Sequence, residues 1–416
     1  MAEVRPISFE APLGRQIIEL HVWAVRQGLS GAGAGELFDG FCRRLVEAGV
    51  PLWRGYAAMR TLHPQWGGYG YHWRRDLGTV EPQQFGRAIG PDWLKSPFFY
   101  LLEQAKTTAG QDNPWLHLRR RLTGPAAQLD FLVLEELAAA GGSDYFAEIV
   151  RFGAEGDLSH GTGIAYSFAT DRPAGFSDDD LALLQAVLPA LSLAMMTHAG
   201  HTIAASLLAA YLGEDAGRRV HSGAIERGSV ESMRAALWYA DIRGFTAIAD
   251  GTPGPAVIEL LNEVFEILTA SLRKRGGQVL KFMGDGMLAI FPLLAETEAE
   301  VCRCAIDAAR EAMHTLDRVN RARFEACKPV AEVDLALHIG EVLYGNVGAA
   351  DRLDFTVIGP AVNEAARIET LCEPLGRKVL VSAEFAAAGS CNGLQPLGHH
   401  RLRGVREPRA IYGLDL

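Results

Sequence analysis

Apolar positions recur at helical spacing over residues 13–27 and again over 37–48, and the glycine-rich stretch 31–35 interrupts them. Residues 51–73 alternate aromatics (Trp53, Tyr56, Trp66, Tyr69, Tyr71, Trp73) with turn residues, which predicts strands and connecting loops. Apolar runs at 145–152 and 161–170 predict two more strands, and Phe176-Ser177-Asp178 opens an N-capped apolar helix over 181–196. Over 207–231, helical pieces are punctuated by Gly213, Gly217, Gly223 and Gly228, the pattern of a hinge or of a passive tether.

From Ala235 onward the pattern changes to regular alternation. An apolar strand over 235–240 is followed by an amphipathic helix over 257–274, with Val257, Leu260, Leu261, Val264, Ile267 and Leu268 on one side. A hairpin joins 279–283 to 287–291 around Gly284-Asp285-Gly286. A second helix over 302–318, strands at 333–339 and 354–358, a helix at 361–371 and late strands at 379–382 and 410–414 complete the order. This βααββαβ series predicts an α+β fold, a ferredoxin-like sheet with helices on one face.

A chain of 416 residues, 49% of them apolar, is long enough for two cores or more. Its net charge of −10 gives no basic footprint for nucleic acid or an anionic membrane, so any bound phosphate must be held by local charges. Cys42, Cys302, Cys304, Cys327, Cys372 and Cys391 are scattered, which fits reduced thiols in a cytoplasmic protein. Cys302 and Cys304 sit two apart on a helix and lack further ligands, so they read as buried thiols. His63, His72, His160 and His338 show no ligand spacing and read as structural. No signal-peptide pattern opens the chain. The helix at 181–196, interrupted by Gln185 and Pro189, falls short of the ~20 residues needed to span a bilayer.

The chemistry concentrates at two strand ends. Apolar strands deliver Asp241 and Asp285 to glycine-containing turns, a placement suited to a hard cation that takes carboxylate and phosphate oxygens. Two such aspartates can hold ions ~3.5–4 Å apart, the spacing used for in-line phosphoryl displacement.

At these residues the chain resembles the class III nucleotide cyclases, which make cyclic AMP or cyclic GMP from the triphosphate. The resemblance rests on ADIRGFT (240–246), KFMGDG (281–286), HIGEVLYGNVG (338–348) and DFTVIGPAVNEAARIE (354–369), in order and at the family's separations. It implies two ions, Mg²⁺ or Mn²⁺, held by Asp241, Asp285 and the carbonyl of Ile242. Backbone amides from Arg243 through Gly244, Phe245 and Thr246 would cradle phosphate oxygens. Lys281 aligns with the base-reading lysine and Thr356 with its partner, where many relatives carry Asp; together they favour ATP. Asn363 and Arg367, four apart on one helix face, align with the residues that orient the ribose and neutralise the transferring phosphate. Arg403 takes the place of a phosphate-binding lysine, with its charge kept and its geometry changed.

The Lys–Thr combination resembles a subgroup stimulated by bicarbonate. The family's site is composite, so a homodimer with two equivalent sites is expected. No side chain in the motifs stands out as general base. The runners-up are a guanylate cyclase, disfavoured by Lys281, and a silent nucleotide-sensing module, disfavoured because none of the motif residues is missing. The layout of the first part looks similar to GAF-type sensor domains, with a small molecule or a protein as effector. The expected division is a GAF-like sensory domain over 1–205, a helical transducing linker over 206–233 and a cyclase domain over 234–416.

Overall fold

The computed structural model describes residues 11–63, 66–79, 82–88, 90–107, 115–152, 163–389 and 393–416. His160 and Cys391 lie outside the described residues. The chain divides into two compact units, Met1–Leu207 and Leu208–Leu416.

The first unit opens with α1 (Pro12–Leu29) and α2 (Ala34–Glu47), then β1 (Arg54–Arg60), β2 (Trp66–Arg74), β3 (Gly78–Thr79) and β4 (Gln83–Gly86). Next come α3 (Pro91–Leu94), α4 (Pro97–Thr107), β5 (Trp115–Arg121), α5 (Leu132–Ala139), β6 (Asp144–Arg151) and β7 (Gly163–Thr170). Among the described residues the strands form one sheet in the order β3-β2-β1-β7-β6-β5, with β4 on β2. Strand alternation feeds two cores. Ala57, Met59, Phe146 and Phe168 pack with α1 and α2 on one face, while Tyr145, Ala147 and Ile149 pack with α4 and α5 on the other.

The apolar helix is much longer than its pattern suggests. It runs as α6 (Asp178–Leu212), 35 residues, because the polar neighbours after Met196 are uncharged and helix-compatible and Pro189 does not end it. By length and composition alone it is long enough to cross a membrane, and 44% of its most apolar window is buried. The expectation that it is too short to span a bilayer is therefore overturned. Leu184, Val187, Leu188 and Leu191 are fully buried in the first unit's core.

The second unit begins with α7 (Glu214–His221), followed by β8 (Val230–Ile242), α8 (Phe245–Gly251), α9 (Gly254–Arg273), β9 (Gln278–Met283) and β10 (Gly286–Pro292). It continues with α10 (Glu298–Glu325), β11 (Val333–Gly348), β12 (Leu353–Ile358), α11 (Pro360–Glu369), β13 (Val379–Ser382), α12 (Ala383–Gly389), β14 (Leu394–His400) and β15 (Arg409–Leu414). The sheet order is β14-β15-β13-β11-β8-β10-β9, with β12 on β11. β8 is central, antiparallel to both β10 and β11.

Helices cover both faces of this sheet, not one as expected. The cause is legible in β8 itself: Ala236, Trp238 and Ala240 face α9 and α10, yet Ala235 and Leu237 on the opposite face are equally buried, against α7 and α11. A strand apolar on both faces needs cover on both.

Candidate active site

Asp241 sits one residue before the end of β8, opposite Asp334 on β11. The β9–β10 hairpin brings Asp285 up beside it, so that the two carboxylates come within hydrogen-bonding reach. Gly286 permits the approach: a Cβ there would lie 3.2 Å from the Ala240 carbonyl and 3.5 Å from Asp241 Oδ1. Burial first, and then Asp285, push the Asp241 carboxyl up to about 6, although Asp241 Oδ1 accepts the Ile242 N–H at 2.9 Å.

A third carboxylate feels the charge of the pair. Burial, followed by the charges of Asp241, Asp334 and Asp285, raises Glu369 to about 7. Glu369 closes the last sequence motif, but it lies two positions from Arg367 on the helix, off the face to which chemistry was assigned. The nearby cation, Arg243, is already committed. Its guanidinium grips Asp334, reaches Glu332 at 3.3 Å and donates to the Arg377 carbonyl at 3.2 Å. The acidic group is thus short of positive charge, and the Asp241–Asp285 pair suits a hard divalent cation.

The turn after Asp241 differs in one respect from expectation. The Arg243 N–H donates to the Glu332 carbonyl at 2.9 Å, so it is not part of a phosphate cradle. Gly244, at φ 64°, takes the left-handed conformation that caps α8. The first amides of a helix have no intrahelical acceptor, and here these belong to Phe245 and Thr246, next to Gly244.

Lys281 lies on β9 with its ammonium 3.1 Å from Asp354. Its expected partner Thr356 is two residues further along β12, 5% exposed, with a buried hydroxyl that has no hydrogen-bond partner. Asn363 and Arg367 line an open groove of about 610 Å³ together with Glu364, Gly404, Arg406 and Arg409. Arg403 is exposed and does not line it, whereas Arg406, three residues on, does. Asp241, Asp285 and Lys281 are not among the groove's lining residues. The aspartate pair and the Asn363–Arg367 groove are thus two separate groups of residues.

His338 is buried and held neutral, its pKa lowered by burial to about 4, with Nδ1 2.9 Å from Ser382 Oγ. Glu364 and Glu384 lie near it, with Arg409 at 3.3 and 4.0 Å supplying the countercharge. No disulfide joins the five described cysteines, and Cys302 is buried while Cys304 is partly so.

Residues 229–414 match the family model described as adenylate and guanylate cyclase catalytic domain. An adenylate cyclase of Anabaena cylindrica is 30% identical over 171 residues, covering 40% of this chain and 33% of the relative. Adenylate cyclase 1 of Rhizobium meliloti (strain 1021) is 30% identical over 180 residues, covering 42% and 26%. The chain thus spans about a third or less of these curated relatives. Among solved structures, a bacterial light-regulated adenylyl cyclase aligns at 27% identity and TM-score 0.40, covering 44% of this chain and 91% of that one. The adenylyl cyclase CyaB from P. aeruginosa aligns at 24% and 0.41, covering 45% and 96%. The second unit of this chain carries a class III adenylate/guanylate cyclase catalytic domain.

Proposed function

We propose that the second unit converts ATP to 3′,5′-cyclic AMP and pyrophosphate at a site shared by two copies of the chain, under control of the first unit. The observation that carries this reading is the Asp241–Asp285 carboxylate pair, within a domain that matches the cyclase family.

Asp241, Asp285 and the Ile242 carbonyl would hold the divalent ions, Mg²⁺ or Mn²⁺. When bound, such a pair lowers the pKa of the ribose 3′-hydroxyl and draws charge from the phosphate oxygens. The amides of Gly244, Phe245 and Thr246 donate to those oxygens. Lys281 donates to an adenine ring nitrogen, and the Thr356 hydroxyl, orphaned in the free protein, accepts from the adenine amino group. Asn363 orients the ribose, and Arg367 meets the charge that develops as the 3′-oxygen bonds to the α-phosphorus and the bond to pyrophosphate breaks. The hydroxyl proton is lost and the electron pair of the broken bond leaves with pyrophosphate. A second copy completes each site in this reading, which the absence of Asp241, Asp285 and Lys281 from the lining of the Asn363–Arg367 groove supports. ATP as substrate calls for a cytoplasmic location.

A second reading, GTP as substrate, is favoured by one observation: the Asp354 carboxylate beside Lys281 is an acceptor that the ring N–H and amino group of guanine could use. Incubating the purified chain with ATP or GTP separately, with Mg²⁺ or Mn²⁺, and resolving the products by chromatography tests both. Cyclic AMP from ATP at the higher kcat/KM supports the proposal, and a preference for GTP contradicts it.

A further inference from the structure

A cavity of about 640 Å³ lies in the first unit, between the face of the sheet that carries Tyr145 and the helices α3, α4 and α5. Strand alternation builds it. Along β1, Ala57 and Met59 enter the core beneath α2, which leaves Arg54, Tyr56, Ala58 and Arg60 on the opposite face, and all four line the cavity. His72 of β2 and Ser167 of β7 line it from neighbouring strands.

The walls are aromatic. The Tyr56 ring is 4.5 Å from that of His72 and 6.1 Å from that of Phe98, and Phe98 in turn stacks with Trp93 at 6.4 Å. Gly70 leaves the space these rings use, since a Cβ there would lie 2.8 Å from the Tyr56 hydroxyl. The volume falls within the ~300–1,000 Å³ of small-molecule sites, which pair apolar and aromatic walls with a few placed polar groups.

The placed polar group here is Arg54. Its guanidinium lies over the Trp53 ring at 4.2 Å, and its Nε is buried with no hydrogen-bond partner. A buried donor left unmade is the exception in folded proteins and is one that a water, an ion or a ligand group can satisfy. Charge points the same way. Arg54, Arg60 and Arg87 line the cavity against Asp92 and Glu136, while a fourth arginine, Arg74, is taken by Asp76 at 2.7 Å.

We propose that this cavity is a binding site for a planar aromatic small molecule that carries an anionic group, with its ring among Tyr56, Trp93 and Phe98 and its anion on Arg54. The site lies wholly within the first unit, so it stands or falls independently of the nucleotide chemistry of the second.

The test uses the full-length chain and two probes that differ by one sulfonate group: 8-anilinonaphthalene-1-sulfonate and its neutral parent N-phenyl-1-naphthylamine. Fluorescence titration should show saturable binding of the sulfonate at one per chain. Arg54→Met should weaken the sulfonate at least tenfold and the neutral probe less than twofold, with Arg54→Lys between. Ala58→Trp, which fills the cavity, should abolish both, and Ser167→Leu gives a milder filling should the tryptophan variant fail to melt cooperatively. Weak non-saturating binding, binding that survives cavity filling, or equal loss of both probes in Arg54→Met would overturn the proposal.

Discussion

Lys281 Nζ lies 3.1 Å from Asp354 Oδ2, so in the free chain the lysine assigned to the adenine ring is held by a carboxylate two residues from the buried Thr356 hydroxyl. Nucleotide must compete with that ion pair. Both partners are substantially solvated, at 34% and 55% exposure, so the competition is mild. Lys281→Ala is expected to lower kcat/KM for ATP by roughly ten- to a hundredfold, the range for losing a hydrogen bond that reads the substrate. Asp354→Asn should instead lower KM for ATP about threefold, by about the worth of a solvated ion pair. Steady-state kinetics of the two variants separate the roles, and a rise in KM for Asp354→Asn would show that Asp354 supports binding.

The raised carboxyl of Asp241 has a pH signature. Its folded pKa, about 6, exceeds the ordinary value of 3.8, so its stabilising contribution is present below 3.8 and is lost as pH rises through about 6. In metal-free protein at pH 8, Asp241→Asn should therefore be more stable than the unaltered chain, by about 1 kcal/mol once the exposure of the group is discounted, or about 2–4 °C in Tm. The difference should shrink as pH falls through 6. Added Mg²⁺ should raise the melting point of the unaltered chain and leave the variant unmoved. Thermal melts at pH 5 and 8, with and without the ion, check the sign.

Arg243 is expected to matter for stability before it matters for chemistry. It grips Asp334, whose side chain is 7% exposed and lies across from Asp241 in the ladder. Removing the guanidinium leaves a buried carboxylate unpaired, so Arg243→Met should cost about 2–4 kcal/mol in urea unfolding. Arg243→Lys should recover part of that loss, because charge returns without the two-pronged grip. No change in unfolding midpoint would contradict the pairing.

The parts of the site that could be read from sequence are those where a local rule and a chemical need coincide. Asp241 and Asp285 stand out because a charged residue at the end of an apolar strand has no core role. The half-site geometry could not be read in the same way, since it depends on which strands are neighbours. β11 was expected to end near Ile339, yet it runs to Gly348 because it pairs with β8 and then with β12. β14 escaped notice because it is an edge strand with Pro396 at an irregular register and no buried alternation. Glu369 was in plain view in its motif, but its meaning comes from the fold, which brings it within electrostatic reach of Asp241. That Arg406 and not Arg403 lines the groove is a matter of how a loop turns, which charge alone does not determine.

A bicarbonate response is proposed only from the resemblance of the Lys281–Thr356 combination to a subgroup stimulated by bicarbonate. Cyclase activity should rise when bicarbonate is titrated at fixed pH and ionic strength, and a flat titration would remove this form of regulation from the account.

The central claim is a catalytic site divided between two copies of the chain, and complementation tests it most directly. Asp241→Ala and Arg367→Ala chains should each be inactive alone. Unfolded together and refolded as an equal mixture, they should form heterodimers as half of the population, each with one intact site, and so recover about a quarter of the unaltered activity. Cyclic AMP formation at that level is the predicted result. Confirmed heterodimers that form no cyclic AMP would contradict the account.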